Sequence, residues 1–66
     1  MLVKINGTQT ELQRGTTLEG LLMSLEIKTE GVAVELNREV VPKRLHASTQ
    51  MKDNDAVEII RMTGGG

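Results

Sequence analysis

Sixty-six residues with eight basic and nine acidic side chains carry a formal net charge of −1, and the sequence has no Cys, Phe, Tyr or Trp. That size means one domain with a small core, filled by Leu, Val, Ile and Met and braced by no disulfide. The composition excludes thiolate metal sites, iron–sulfur clusters and cysteine nucleophiles. It also lacks the aromatic platforms and basic excess of a nucleic-acid binder, the basic surface of an anionic-membrane binder, and any apolar run long enough to span a bilayer. A soluble, cytoplasmic protein, monomeric when free, is the expectation.

Met1 to Asn6 alternates, which sets Leu2 and Lys4 on one strand face and Met1, Val3 and Ile5 on the other. Asn6-Gly7 is a strong hairpin signal because both residues tolerate positive φ, and Thr8 to Leu12 reads as the returning strand. After Arg14-Gly15, the spacing of Thr16 and Glu19 is that of a capping box. Leu18, Leu21, Leu22 and Leu25 then recur at helical spacing and predict one buried stripe. Gly20 is a poor helix former and marks a close approach. The core is expected to pack Leu22 and Leu25 against Val3, Ile5, Val34 and Ile59.

A polar loop, Lys28 to Gly31, precedes a second alternating segment with Val32, Val34 and Leu36 on one face. Asn37-Arg38 turns the chain into a short strand, Glu39 to Val41, which Pro42 ends because it has no N–H to donate. Lys43 to Gln50 is polar and irregular, with one helical turn around Leu45. Lys52 to Asp55 is a turn, and Ala56 to Met62 is the last strand before Thr63-Gly64-Gly65-Gly66. Terminal glycines bury nothing and lose more freedom on ordering than other residues, so the tail has no packing use. A backbone without Cβ atoms can instead enter a narrow channel and present a carboxylate to another protein's active site.

Strand pair, helix, strand pair and last strand together describe an α+β layer structure. The order resembles that of the ubiquitin-like β-grasp, a mixed sheet of four to five strands with one main helix on one face. The resemblance implies a final strand lying centrally beside the first, with the C-terminus leaving as a flexible glycine arm. The expected division is a β-grasp domain over residues 1–62 and a flexible reactive tail over 63–66, with Gly64 to Gly66 mobile.

Val32-Ala33-Val34-Glu35-Leu36-Asn37-Arg38-Glu39-Val40-Val41-Pro42 resembles the "VAVEVNGEIVPR" stretch of the ThiS sulfur carriers of thiamine biosynthesis. Met51 to Ile60 is similar to their "LKDGDxVEIV" segment, and Val3 to Gly7 to their "ITVNG" start. Arg38 and Asn54 stand where that family has glycine, so Arg38 either adopts another turn or accepts a strained φ. Three terminal glycines, rather than two, leave Gly66 or a trimmed Gly65 as the reactive end.

The resemblance implies a protein co-substrate and not an enzyme. A ubiquitin-activating-type adenylyltransferase would use ATP to adenylate the C-terminal carboxylate. Sulfur relayed as a persulfide would then give a thiocarboxylate for a thiazole synthase. The chain itself binds no cofactor in this scheme. A carrier serving molybdopterin or sulfur amino-acid synthesis, or a non-reactive β-grasp interaction domain, are the alternatives.

Other residues carry weaker signals. His46 lacks a catalytic partner and reads as an ordinary loop histidine. Asp53 and Asp55 fit a turn better than a metal loop, which needs further ligands. Lys43, Arg44 and Arg38 form a basic cluster that reads as a solvated surface. Ile60 and Met62 are expected on the exposed sheet face beside the tail, as a partner-docking patch or as cover for the sheet edge.

Overall fold

The computed structural model describes residues 1–62. The expected reactive arm, residues 63–66 with Gly64, Gly65 and Gly66, lies outside the described residues. Strands β1 (Leu2–Ile5) and β2 (Thr8–Glu11) precede helix α1 (Leu18–Ser24), and β3 (Val32–Leu36) and β4 (Glu39–Val40) follow it. A 3-10 helix (Lys43–Ser48) and β5 (Ala56–Arg61) complete the order. The strands form one mixed sheet in the order β2-β1-β5-β3-β4. β1 and β5 are its parallel pair and lie side by side at its centre, as the β-grasp arrangement requires.

Turn chemistry sets the register. Asn6 (φ 49°) and Gly7 (φ 84°) take the paired positive φ of a type I′ turn, which matches the twist of its flanking strands. Ile5 therefore opposes Thr8, and Val3 opposes Thr10. Asn37 (φ 52°) and Arg38 (φ 72°) repeat the geometry between β3 and β4, so Arg38 accepts the strained conformation rather than changing the turn. Asn54 is likewise at φ 72°.

Val3, Val34 and Val57 point from the sheet to Leu18, Leu21 and Leu22 of α1, with Met51 closing the core. Two expectations about the helix are corrected. Its cap is Thr17 and not Thr16: Thr17 Oγ1 accepts from the Gly20 N–H at 3.0 Å. Thr16 is drawn away because its hydroxyl donates to the Gln13 carbonyl and its own carbonyl accepts from Met51 N–H at 2.8 Å. The close approach at Gly20 is to that cap, since an added Cβ would lie 3.3 Å from Thr17 Oγ1.

Leu25 is 42% exposed, against the expectation that it belongs to the core. The helix ends at Ser24, and Glu26 turns left-handed at φ 57°. That turn brings Ile27 N–H to the Leu22 carbonyl at 3.0 Å, so Ile27 takes the place at the core edge that periodicity gave to Leu25.

Candidate functional site

The last strand delivers the chain to the tail. β5 runs antiparallel beside β3 from Leu36↔Val57 to Val32↔Arg61. Beyond the strand, Met62 N–H still donates to the Gly31 carbonyl at 2.8 Å, so the hydrogen-bonded frame extends to the last described residue. On its other side, β5 is held by Lys4 and Ile5 of β1 and then by Asn6, whose Oδ1 accepts from Ile59 N–H at 2.7 Å.

Alternation divides the residues of β5 between two environments. Val57 is buried and Ile59 packs at the core edge, whereas Ile60 and Met62 are 43% and 59% exposed. Ile60 is paired with Ala33, and Val40, 65% exposed, is paired with Glu35. Ala33 and Glu35 share a face of β3, so Ile60, Ala33 and Val40 form a shallow apolar strip on the sheet face opposite α1. Grouped exposed apolar side chains of this kind are a general feature of interaction surfaces. The expected Ile60 and Met62 therefore have the exposure that role needs. Val40 was not anticipated, although the spacing from Glu39 to Val41 makes its outward direction legible.

The same face carries a directly opposed acidic pair, Glu35↔Glu58. Directly opposed residues have Cβ atoms typically about 4.5–5.5 Å apart, where like charges destabilise a sheet. Strand alternation places both outward, but only the register shows that they face each other.

Other candidate residues have structural roles. His46 is not an ordinary loop histidine: it is 5% exposed within the 3-10 helix, and its Nε2–H donates to the Val41 carbonyl at 2.9 Å. Asp55 is buried, where it accepts from Asn37 Nδ2 at 2.9 Å and Lys52 N–H at 2.7 Å. Asp53 Oδ1 accepts from Leu2 N–H at 2.7 Å, so Asp55 closes the turn and Asp53 ties it to β1. Among the described residues no group of three or more potential metal ligands is assembled, and no helix is long and apolar enough to cross a membrane. The basic cluster is divided. Arg38 lies in the β3–β4 turn, while Lys43 rims a cleft of about 310 Å³ between α1 and the 3-10 helix, floored by Leu22, Ile27 and His46.

Comparison with known proteins adds identity to this geometry. The ThiS family model matches residues 3–66. The chain is 30% identical over 66 residues to the sulfur carrier protein ThiS of Bacillus subtilis, covering 98% of this chain and 100% of that protein. A thiazole synthase of Magnetococcus marinus is 39% identical over the whole chain, which spans only 20% of that protein's length. In the crystal structure of a thiamine biosynthesis protein (ThiS) from Geobacter metallireducens, both chains superpose over their full length with a TM-score of 0.89 at 35% identity.

Proposed function

The chain belongs to the ThiS family of sulfur carriers, and on that premise we propose that its C-terminal glycine is adenylated and converted to a thiocarboxylate for thiazole formation. Gly66 is the modified residue, or Gly65 where the last glycine is trimmed. The carrying observation is the family match, which runs through the glycines to residue 66 and so includes the proposed reactive end. In this reading residues 1–62 form the body and 63–66 the reactive tail.

The chemistry requires a partner. A carboxylate is a poor electrophile until one oxygen becomes part of a good leaving group. Attack of the terminal carboxylate on the α-phosphorus of ATP gives the acyl-adenylate and pyrophosphate; a persulfide sulfur then displaces AMP to form an acyl disulfide, and a thiol of the sulfur donor cleaves that S–S bond, releasing the thiocarboxylate and leaving a disulfide on the donor. ATP belongs to the activating adenylyltransferase and is not held by this chain. Ile60 and Met62, with Ala33 and Val40, form the surface on which partners seat while the tail enters their active sites. The occurrence of a similar segment within a longer protein named thiazole synthase supports a thiazole synthase as the acceptor. The carrier acts in the cytoplasm, as a monomer when free.

The test is incubation with the cognate adenylyltransferase, ATP and a sulfur source, followed by intact-protein mass spectrometry. The expected product has one oxygen exchanged for sulfur, and alkylation places it at the C-terminus. A chain that never acquires AMP or sulfur from an active cognate enzyme overturns the carrier reading.

A further inference from the structure

The cleft of about 310 Å³ between α1 and the 3-10 helix lies on the α1 side of the sheet, away from Ile60 and Val40. Its floor is apolar, from Leu22 and Ile27, and Met23, which is 71% exposed, stands at its lip. Lys28 and Lys43 also line it. Glu19 lines it at the start of α1, whereas Lys28 lies beyond the helix's C-terminal end, so the sign of charge changes along the cleft.

His46 supplies the observation that points to a ligand. It is 5% exposed, in the 3-10 helix. A backbone carbonyl can only accept, so the bond to Val41 places a proton on Nε2 and leaves Nδ1 as the acceptor of the neutral ring. Nδ1 has no hydrogen-bond partner among the described residues, yet no sealed side-chain nitrogen or oxygen there lacks one. Nδ1 therefore keeps an opening, and the cleft is the opening that His46 lines. An acceptor carried this deep is costly unless a donor reaches it.

We propose that this cleft binds a peptide segment of a partner protein in which an aliphatic residue stands next to an acidic one. The aliphatic side chain covers Leu22 and Ile27, a backbone N–H of the segment donates to His46 Nδ1, and the carboxylate accepts from Lys28 and Lys43. The lining asks for an apolar group, a donor and an anion in one ligand, and a peptide supplies all three where a simple anion supplies one. The volume is at the lower end of the roughly 300–1,000 Å³ of small-ligand sites, which suits one or two side chains. Because the strip of Ile60, Ala33 and Val40 is on the other face of the sheet, a protein bound at the cleft leaves that strip free. The chain can then be held by one protein while its sheet face serves another.

The experiment is an NMR titration of the isotope-labelled full chain with the peptide acetyl-Gly-Leu-Asp-Leu-Gly-amide. The same peptide with Asn in place of Asp, and inorganic phosphate, are titrated beside it. Saturable amide shifts are expected at Leu22, Ile27, Lys28 and His46, with affinity falling as salt rises. The Asn peptide, and the double variant Lys28→Gln/Lys43→Gln, are each expected to bind about tenfold more weakly. His46→Gln keeps an N–H for the Val41 carbonyl but has no acceptor at the Nδ1 position, so it should hold the denaturation midpoint and weaken binding about fivefold. Absence of saturable shifts, equal affinity for the two peptides, or the same shifts from phosphate alone overturns the inference. Shifts at these residues that grow with protein concentration and need no peptide also overturn it, by assigning the cleft to a second copy of the chain. Saturating peptide should leave adenylation by the cognate enzyme unchanged, and competition between the two overturns the separation of the surfaces. A chain that binds the peptide but is never adenylated loses the carrier reading and keeps this one.

Discussion

The carboxamide of Asn6 takes the place of a strand residue for Ile59: its Oδ1 accepts from the Ile59 N–H at 2.7 Å, and its Nδ2 reaches the Ile59 carbonyl at 3.5 Å. β1 has already turned into the hairpin at this point, so β5 would otherwise lose its neighbour halfway to the tail. One residue therefore closes the hairpin with a positive φ and braces the strand that leads to Met62.

Replacing Asn6 by Gly keeps the turn accessible while removing both contacts. The expected loss is about 1–2 kcal/mol, from the hydrogen bonds and the added backbone freedom. Urea denaturation measures it. Hydrogen exchange at the Ile59 amide should accelerate more than at Val34, which would distinguish a local brace from general weakening.

Arg38 offers the opposite case. Its φ of 72° is left-handed, a conformation that costs an L-residue about 1–2 kcal/mol relative to its preferred regions. Arg38→Gly removes that strain but gives the unfolded chain more freedom, which returns roughly 0.4–1 kcal/mol. The net expectation is a gain of about 0.5–1 kcal/mol, read as a higher denaturation midpoint. Amide shifts along β3 and β4 should keep the Glu35↔Val40 register.

Leu22 and Leu25 separate burial from periodicity. Both fit a helical stripe, yet Leu22 is 1% exposed, whereas Leu25 stands just beyond the end of the helix and is 42% exposed. Leu22→Ala should cost about 2–5 kcal/mol, a large share of the stability of so small a domain. Leu25→Ala should remain near 0.5 kcal/mol, as surface changes do. Equal losses at the two positions in urea denaturation would refute this assignment of the helix face.

How much of this was legible in the sequence follows from range. Asn6-Gly7, the alternation of β3 and the leucine spacing are local signals, and they placed both hairpins and the helix. Long-range pairing decided what local spacing could not. The Thr16–Met51 and Leu18–Thr49 backbone bonds moved the helix cap by one residue. Met51 is buried although it stands in a polar stretch, because those same bonds carry it across α1. The outward direction of Ile60 and Met62 was readable from alternation. The apposition of Glu35 with Glu58 was not, since register between strands more than twenty residues apart has no local signature.

The remaining prediction concerns Gly65, which contributes only backbone to the proposed reaction. If the reactive atom is the terminal carboxyl carbon, its position is set by the length of chain that follows β5. A channel shaped for glycine rejects a Cβ near the end, and a misplacement on the order of 1 Å can cost about a hundredfold in rate. Gly65→Ala should therefore fold with an unchanged denaturation midpoint yet be adenylated about a hundredfold more slowly. Gln9→Ala, on the exposed β2 and remote from the tail, should match the parent in both respects. Deleting Gly66 tests the arm length directly: a shortened chain that acquires sulfur as well as the parent assigns the reactive end to Gly65, and one that acquires none assigns it to Gly66. Release of pyrophosphate by the cognate adenylyltransferase gives the rates, and intact-protein mass spectrometry gives the product. If Gly65→Ala is adenylated at the parent rate, the narrow-channel account of the glycine tail is wrong.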